Sequence, residues 1–162
     1  MLHVRTLVAD ALQQLRSEPD YAERIEANPP TLQVPADGLE LVRLDRMEIA
    51  VAVTAVLRNA MLAVEDAGAV TIEAVAAPDG KAVLLRVIDT GVGMSDHTLR
   101  HAADPFFSFQ PAGRRRGMGL AIAARVLEAA GGSLHLESKL GEGTSATLRL
   151  PIVDATELTQ AA

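Results

Sequence analysis

Two short runs read as paired strands, Val70 to Ala76, which alternates apolar and polar residues through Ala74, and Ala82 to Ile88, which is apolar but for Arg86; the turn sequence Pro78-Asp79-Gly80 separates them. That arrangement predicts an antiparallel hairpin with one face buried, and a buried face needs a second layer to cover it. A second hairpin is expected from Leu134-His-Leu-Glu137 and Thr144 to Leu150 around Gly141-Glu-Gly143. Helical spacing supplies the covering layer. Val4 to Arg16 places Leu7, Val8, Ala11, Leu12 and Leu15 on one stripe, and Ser17 to Pro30 is expected to break that helix. Leu39 to Leu44 alternates in part like a strand. Asp45 and Glu48 then have the spacing of a capping box, opening a helix to about Glu65 whose core stripe is Ile49, Val53, Val56, Leu57, Ala60 and Val64. A short helix should begin at Ser95, and Met118 to Ala130 reads as a helix closed by Gly131-Gly132. Between these two helices, Asp104 to Gly117 is rich in Pro, Gly and Arg, as in a long mobile loop.

Composition narrows the function. A chain of 162 residues suits one domain with a single core. Aromatics make up 2% of it, so Val, Leu, Ile and Ala must build the interior and base-stacking platforms are disfavoured. The net charge of −6 argues against a nucleic-acid binder, which needs clustered Lys and Arg. There is no Cys, so neither disulfides nor thiolate metal sites are available, which fits the cytoplasm. The longest apolar stretches fall short of the roughly 18 to 20 residues of a membrane span. The N-terminus lacks a signal-peptide core, and the sequence reads as a soluble one without direct membrane contact.

Three segments carry chemistry. Asn59 lies opposite the core stripe of its helix, among Ala52, Ala55 and Ala63, whose small side chains let a ligand approach. An amide oxygen is a neutral hard ligand suited to Mg²⁺, although the helix alone favours an ordinary hydrogen bond. Asp89 ends a strand, where a carboxylate can accept from a purine amino group, and Gly91 and Gly93 let the following backbone turn and come near a ligand. Taken alone, the segment fits a turn with Asp89 capping backbone N–H groups equally well. Gly117-Met118-Gly119-Leu120 opens a helix, where unpaired N–H groups meet an anion. Arg114, Arg115 and Arg116 just upstream suit either a lid over a polyphosphate or a solvated basic loop. No P-loop is present, and Asp96 occupies the third glycine position of a dinucleotide fingerprint.

The order of these segments is more specific than any one of them. "LRNAMLAVEDAG", "DTGVGM", "DPFFSFQ", "GMGLAIAARVLEAAGG" and "GEGTSATLRLP" resemble, in turn, the N, G1, F and G2 boxes and the closing G3-like hairpin of the GHKL ATPase superfamily. Within it the sequence is most similar to histidine kinase catalytic domains of the nitrogen-regulation type, over about Leu32 to Pro151. The resemblance implies a two-layer α/β sandwich, a mixed sheet faced by helices, with ATP held under a flexible lid. It divides the chain into a leading helix and loop at 1–30, the ATP-binding domain at 31–151 and a tail at 152–162. Asn59 would hold Mg²⁺ against the triphosphate, and Asp89 would read the adenine amino group. Gly91 and Gly93 would let the loop pass the nucleotide. Gly117 and Gly119 would contact phosphates, and Phe106 and Phe107 would anchor the lid. Arg114, Arg115 and Arg116 with Met94, Met118, Leu120 and Thr144 complete the implied nucleotide-binding set.

Three positions depart from the pattern. Ala55 stands where related kinases commonly have Asn and related ATPases a catalytic Glu; Gln110 replaces a frequent Lys; Arg115 replaces the first glycine of the lid end. His3 lacks the surroundings of a phosphorylated histidine, and His97, His101 and His135 are poorer candidates. The implied partners are therefore a histidine-bearing dimerisation domain of the same kinase and a response-regulator receiver domain, the chain itself being an excised piece. Two other readings stay open: a serine kinase of the anti-sigma kind, and a degenerate regulator that docks without transferring phosphate.

Overall fold

A computed structural model describes residues 2–35, 39–41, 45–64, 67–105 and 119–152. In chain order the elements are β1 (Leu2–His3), α1 (Val4–Arg16), α2 (Pro19–Ala27), β2 (Thr31–Gln33), β3 (Glu40–Leu41), α3 (Arg46–Ala63), β4 (Val70–Ala76), β5 (Ala82–Asp89), α4 (Asp96–His101), α5 (Gly119–Ala129), β6 (Ser133–Lys139) and β7 (Gly143–Pro151). The main sheet has the order β2-β4-β5-β7-β6. β2 runs parallel to β4 and the other pairings are antiparallel, so the sheet is mixed. β1 and β3 form a separate two-stranded ladder.

Strand periodicity decides which side of the sheet is covered. Val70, Ile72 and Ala74 of β4, Val83, Leu85 and Val87 of β5, and Ala146, Leu148 and Leu150 of β7 are all buried. They lie in register, so the three strands present one continuous apolar face. The alternate residues, among them Glu73, Arg86 and Arg149, point to the other side. With one face covered, the fold is the expected two-layer α/β sandwich.

α3 is the hub of the helical layer, packed against α1, α5 and the sheet. Its buried residues, Ile49, Ala52, Val53, Thr54, Ala55, Val56, Leu57, Ala60 and Met61, encircle most of the helix. A helix covered on several sides loses its one-sided amphipathic pattern. Both ends of α3 are tied. At the start, the Asp45 carboxylate accepts from the backbone N–H of Met47 at 2.8 Å and of Glu48 at 3.2 Å. At the end, Arg24 Nη1 donates to the carbonyls of Met61 and Val64, each at 3.4 Å.

Three elements, β1, α2 and β2, are not expected from the sequence. Instead of a break running to Pro30, the chain forms α2, with Pro19 in its first turn and Tyr21 and Ile25 buried. β2 pairs along the sheet edge although all three of its residues are exposed. The strand expected at Leu39 to Leu44 is realised as Glu40–Leu41, with residues 42–44 outside the described residues. α3 stops at Ala63, short of Glu65. The hairpins and the Ser95-capped helix form where their spacing predicts.

Candidate functional site

Cross-strand register aligns four side chains at one end of the covered face. Val70 pairs with Asp89, Asp89 with Thr144, and Thr144 with Ser138. Directly opposed residues point to the same side of a sheet, so the Asp89 carboxylate and the Thr144 and Ser138 hydroxyls are neighbours. Asp89 is 3% exposed and Thr144 6%. Asp89 Oδ1 accepts from the Gly91 N–H at 2.9 Å. Burial pushes the Asp89 carboxyl above the usual carboxylate range, and the backbone N–H groups of Gly91 and Thr144 pull it partly back. A buried acceptor of this kind gains most from a ligand that donates hydrogen bonds.

The loop after Asp89 is clamped on three sides. Thr90 N donates to Ala69 O at 3.0 Å and Thr90 Oγ1 accepts from Ala69 N at 2.9 Å. Val92 N donates to Ala63 O at 3.0 Å, which joins the loop to the end of α3, and Gly141 N donates to Val92 O at 2.7 Å, which joins it to the β6–β7 turn. Met94 N donates to Ser138 Oγ at 2.8 Å. The glycines make this clamp possible. A β-carbon at Gly91 would lie 2.3 Å from Ala63 O. One at Gly93, where φ is +64°, would lie 2.0 Å from Lys139 O. The close approach these glycines allow is thus to the protein's own backbone, a role their spacing did not reveal.

Asn59, half-buried, sits on α3 between Ala55 and Ala63, one turn away in either direction. Ala63 touches the Asp89 loop at Gly91. Ala55 adjoins the start of α5, its Cβ lying 3.9 Å from where a Gly119 β-carbon would be. One face of α3 therefore runs from the strand-end carboxylate, past the Asn59 amide, to the N-terminus of α5. Leu120 and Ala121, in the first turn of α5, are buried against this layer. Phe106, Phe107, Gln110, Arg114, Arg115, Arg116, Gly117 and Met118 lie outside the described residues. Among the described residues no group of three or more His, Asp or Glu side chains could hold a metal ion unaided.

Ser138 belongs to this site although the sequence does not single it out, and Ala63, read from the sequence as a small residue beside Asn59, is the one that meets the loop at Gly91. Ser138 is hidden in an ordinary strand pattern, "SLHLESK", and only the β6–β7 register brings it to Thr144.

Residues 44–154 match the family described as histidine kinase-, DNA gyrase B-, and HSP90-like ATPase. The methanogenesis regulatory histidine kinase FilI of Methanothrix harundinacea is 33% identical over 116 residues, 72% of this chain and 13% of that protein. Sporulation kinase D of Bacillus subtilis is 33% identical over 112 residues, 69% of this chain and 21% of that protein. The chain thus spans about an eighth to a fifth of the length of these relatives. They and other sporulation and sensor kinases do not support the expected likeness to the nitrogen-regulation type. Among solved structures, the mycobacterial sensor histidine kinase MprB superposes with a TM-score of 0.78 at 21% identity, covering 93% of this chain and 96% of that one. The catalytic domain of histidine kinase ThkA gives 0.71 at 18% identity, covering 93% and 94%. Those two likenesses carry the fold, and the family match carries the rest: the chain belongs to the histidine kinase-, DNA gyrase B-, and HSP90-like ATPases, as an ATP-binding domain of the histidine kinase type.

Proposed function

We propose that this domain binds ATP as its magnesium complex and donates the γ-phosphoryl group to a histidine on a separate dimerisation domain of the same kinase. From there the phosphoryl group passes to an aspartate of a response-regulator receiver domain. The observation that carries the reading is the continuous face Asp89, Gly91, Ala63, Asn59, Ala55, Gly119, which joins a buried acceptor, an amide and a helix N-terminus. In this reading Asp89 accepts from the adenine amino group with Thr144 beside it. Gly91 and Gly93 shape the loop that forms the pocket wall, and Met94 lines it. Asn59 supplies an oxygen to magnesium, and the backbone N–H groups at the start of α5, from Gly119 and Leu120, lie toward the phosphates. Phe106, Phe107, Arg114, Arg115, Arg116, Gly117 and Met118 would form the lid and phosphate contacts. Magnesium, when bound, neutralises phosphate charge; the chain's own residues orient the nucleotide.

Ala55 bears on the reaction type. A general base at that point of α3 would activate water, and an 8% exposed alanine cannot. The site therefore suits transfer to an external nucleophile better than hydrolysis. Among the described residues no helix is long and apolar enough to cross a membrane, and we place the domain in the cytoplasm.

The test is calorimetric titration of the 162-residue chain with ATP in the presence and absence of Mg²⁺, followed by transfer of labelled phosphate to a supplied histidine-bearing helical domain. Magnesium-dependent binding and an acid-labile, alkali-stable product are expected. Transfer to serine would replace the reading with a serine kinase, and tight binding without transfer to any such acceptor would leave a docking regulator, the reading Ala55 also permits.

A further inference from the structure

The Ser138 hydroxyl makes three contacts, each at 2.8 Å: with Met94 N, with Gly143 O and with Thr144 Oγ1. Their chemistry fixes the direction of each bond. The Met94 N–H can only donate and the Gly143 carbonyl can only accept, whereas a hydroxyl offers one proton and two lone pairs. A single arrangement satisfies all three contacts. Ser138 donates to Gly143 O, accepts from Met94 N–H, and accepts from the Thr144 hydroxyl. The Thr144 proton is then engaged, and what Thr144 can offer elsewhere is lone pairs.

Thr144 stands directly opposite Asp89 on the buried face, so the consequence falls on the pocket. We propose that Ser138 is a positioning and specificity-determining residue: by holding the Thr144 proton it makes Thr144 an acceptor beside the Asp89 carboxylate, and the pair selects amino-purines over oxo-purines. This inference rests on the nucleotide-binding reading above. An exocyclic amino group carries two N–H donors and suits two adjacent acceptors. An oxo group presents lone pairs to both and is repelled. With the Ser138 hydroxyl gone, the Thr144 hydroxyl is free to turn and donate, and an oxo group becomes tolerable. The same substitution loosens Met94, the end of the clamped loop, so selectivity and not affinity alone must be read.

The experiment titrates the full chain with ATP and with inosine triphosphate, whose base carries oxo in place of amino. Ser138→Ala should weaken ATP binding about three- to tenfold, the range of one buried hydrogen bond, while inosine triphosphate binding changes less, so the ratio between them shrinks. Ser138→Thr, which keeps a hydroxyl, should restore the ratio. Thr144→Val leaves the Ser138 contacts to Met94 and Gly143 in place and should also shrink the ratio, which decides the matter if Ser138→Ala fails to fold. Equal loss of both nucleotides in Ser138→Ala, or an unchanged ratio in Thr144→Val, would overturn the proposal and leave Ser138 as a loop fastener. A wild-type chain that binds neither nucleotide would overturn the nucleotide-binding reading itself, and this inference with it.

Discussion

Asp89 and Thr144 stand directly opposite each other across the β5–β7 ladder, both buried on the covered face of the sheet. The strand end thereby holds a carboxylate whose ionised form is disfavoured by burial until a donor arrives. Folding gains nothing from such a charge, so the residue sets function against stability.

Asp89→Asn should separate the two. Asparagine keeps an oxygen for the Gly91 N–H, and it removes the charge that burial penalises. Thermal unfolding at neutral pH should show a variant as stable as the parent or more so, while ATP affinity falls at least about tenfold, as when a charged hydrogen-bond acceptor is lost. A large drop in melting temperature with affinity intact would contradict both halves.

The pH dependence follows from the raised carboxyl. The folded state holds its proton to higher pH than the unfolded chain does, so Asp89 favours folding most at low pH. That contribution declines as pH rises from the unfolded carboxylate range through the raised folded value, and it is flat above. Urea unfolding of wild type minus Asp89→Asn across this range should show that slope. Asp79 has the opposite sign: the Lys81 N–H and the Arg149 guanidinium hold its carboxyl low, so its contribution is lost as pH falls.

Asn59→Ala should leave folding almost untouched, within about 1 kcal/mol, because the residue is only half-buried. Magnesium-dependent ATP affinity should fall by about tenfold or more. Leu57→Ala, two residues earlier and fully buried, is the contrast, expected to cost about 2–5 kcal/mol. Chemical denaturation alongside nucleotide titration distinguishes the pair.

Two glycines with similar backbone should respond differently to alanine. Gly80, at φ +67°, has open space where a β-carbon would go, and its replacement should cost about 1–2 kcal/mol for the left-handed backbone alone. Gly93, at φ +64°, would drive a β-carbon into Lys139 O. Gly93→Ala should exceed the Gly80→Ala cost by more than about 1 kcal/mol and distort the loop that ends at Met94. Equal costs in denaturant unfolding would mean that the clamp yields easily.

Legibility followed periodicity. α1 and the start of α3 carry apolar residues at helical spacing, both hairpins carry apolar runs on either side of a glycine-containing turn, and Asp45 is readable as a cap because its bonds are local. α2 has only Tyr21 and Ile25 to bury, one turn apart, too few for a pattern. β2 has no buried residue, and its partner lies beyond the whole of α3. In the site, Asn59 and Asp89 were visible through the order of motifs. Ser138 was not, because its meaning comes from a cross-strand register that composition does not encode, and the glycines showed where the backbone must pass closely without showing what it passes.

The family match begins at residue 44, yet nine apolar side chains upstream, Val4, Leu7, Val8, Ala11, Leu12, Leu15, Tyr21, Ile25 and Val34, are buried in the same core. Arg24 caps the far end of α3, and Glu18 is paired with Arg58, the neighbour of Asn59. An expression clone trimmed to the matched region would strip one flank of the Asn59 helix and leave it greasy. Such a piece should collect in inclusion bodies, and an apparent lack of nucleotide binding by it would report on where the gene was cut.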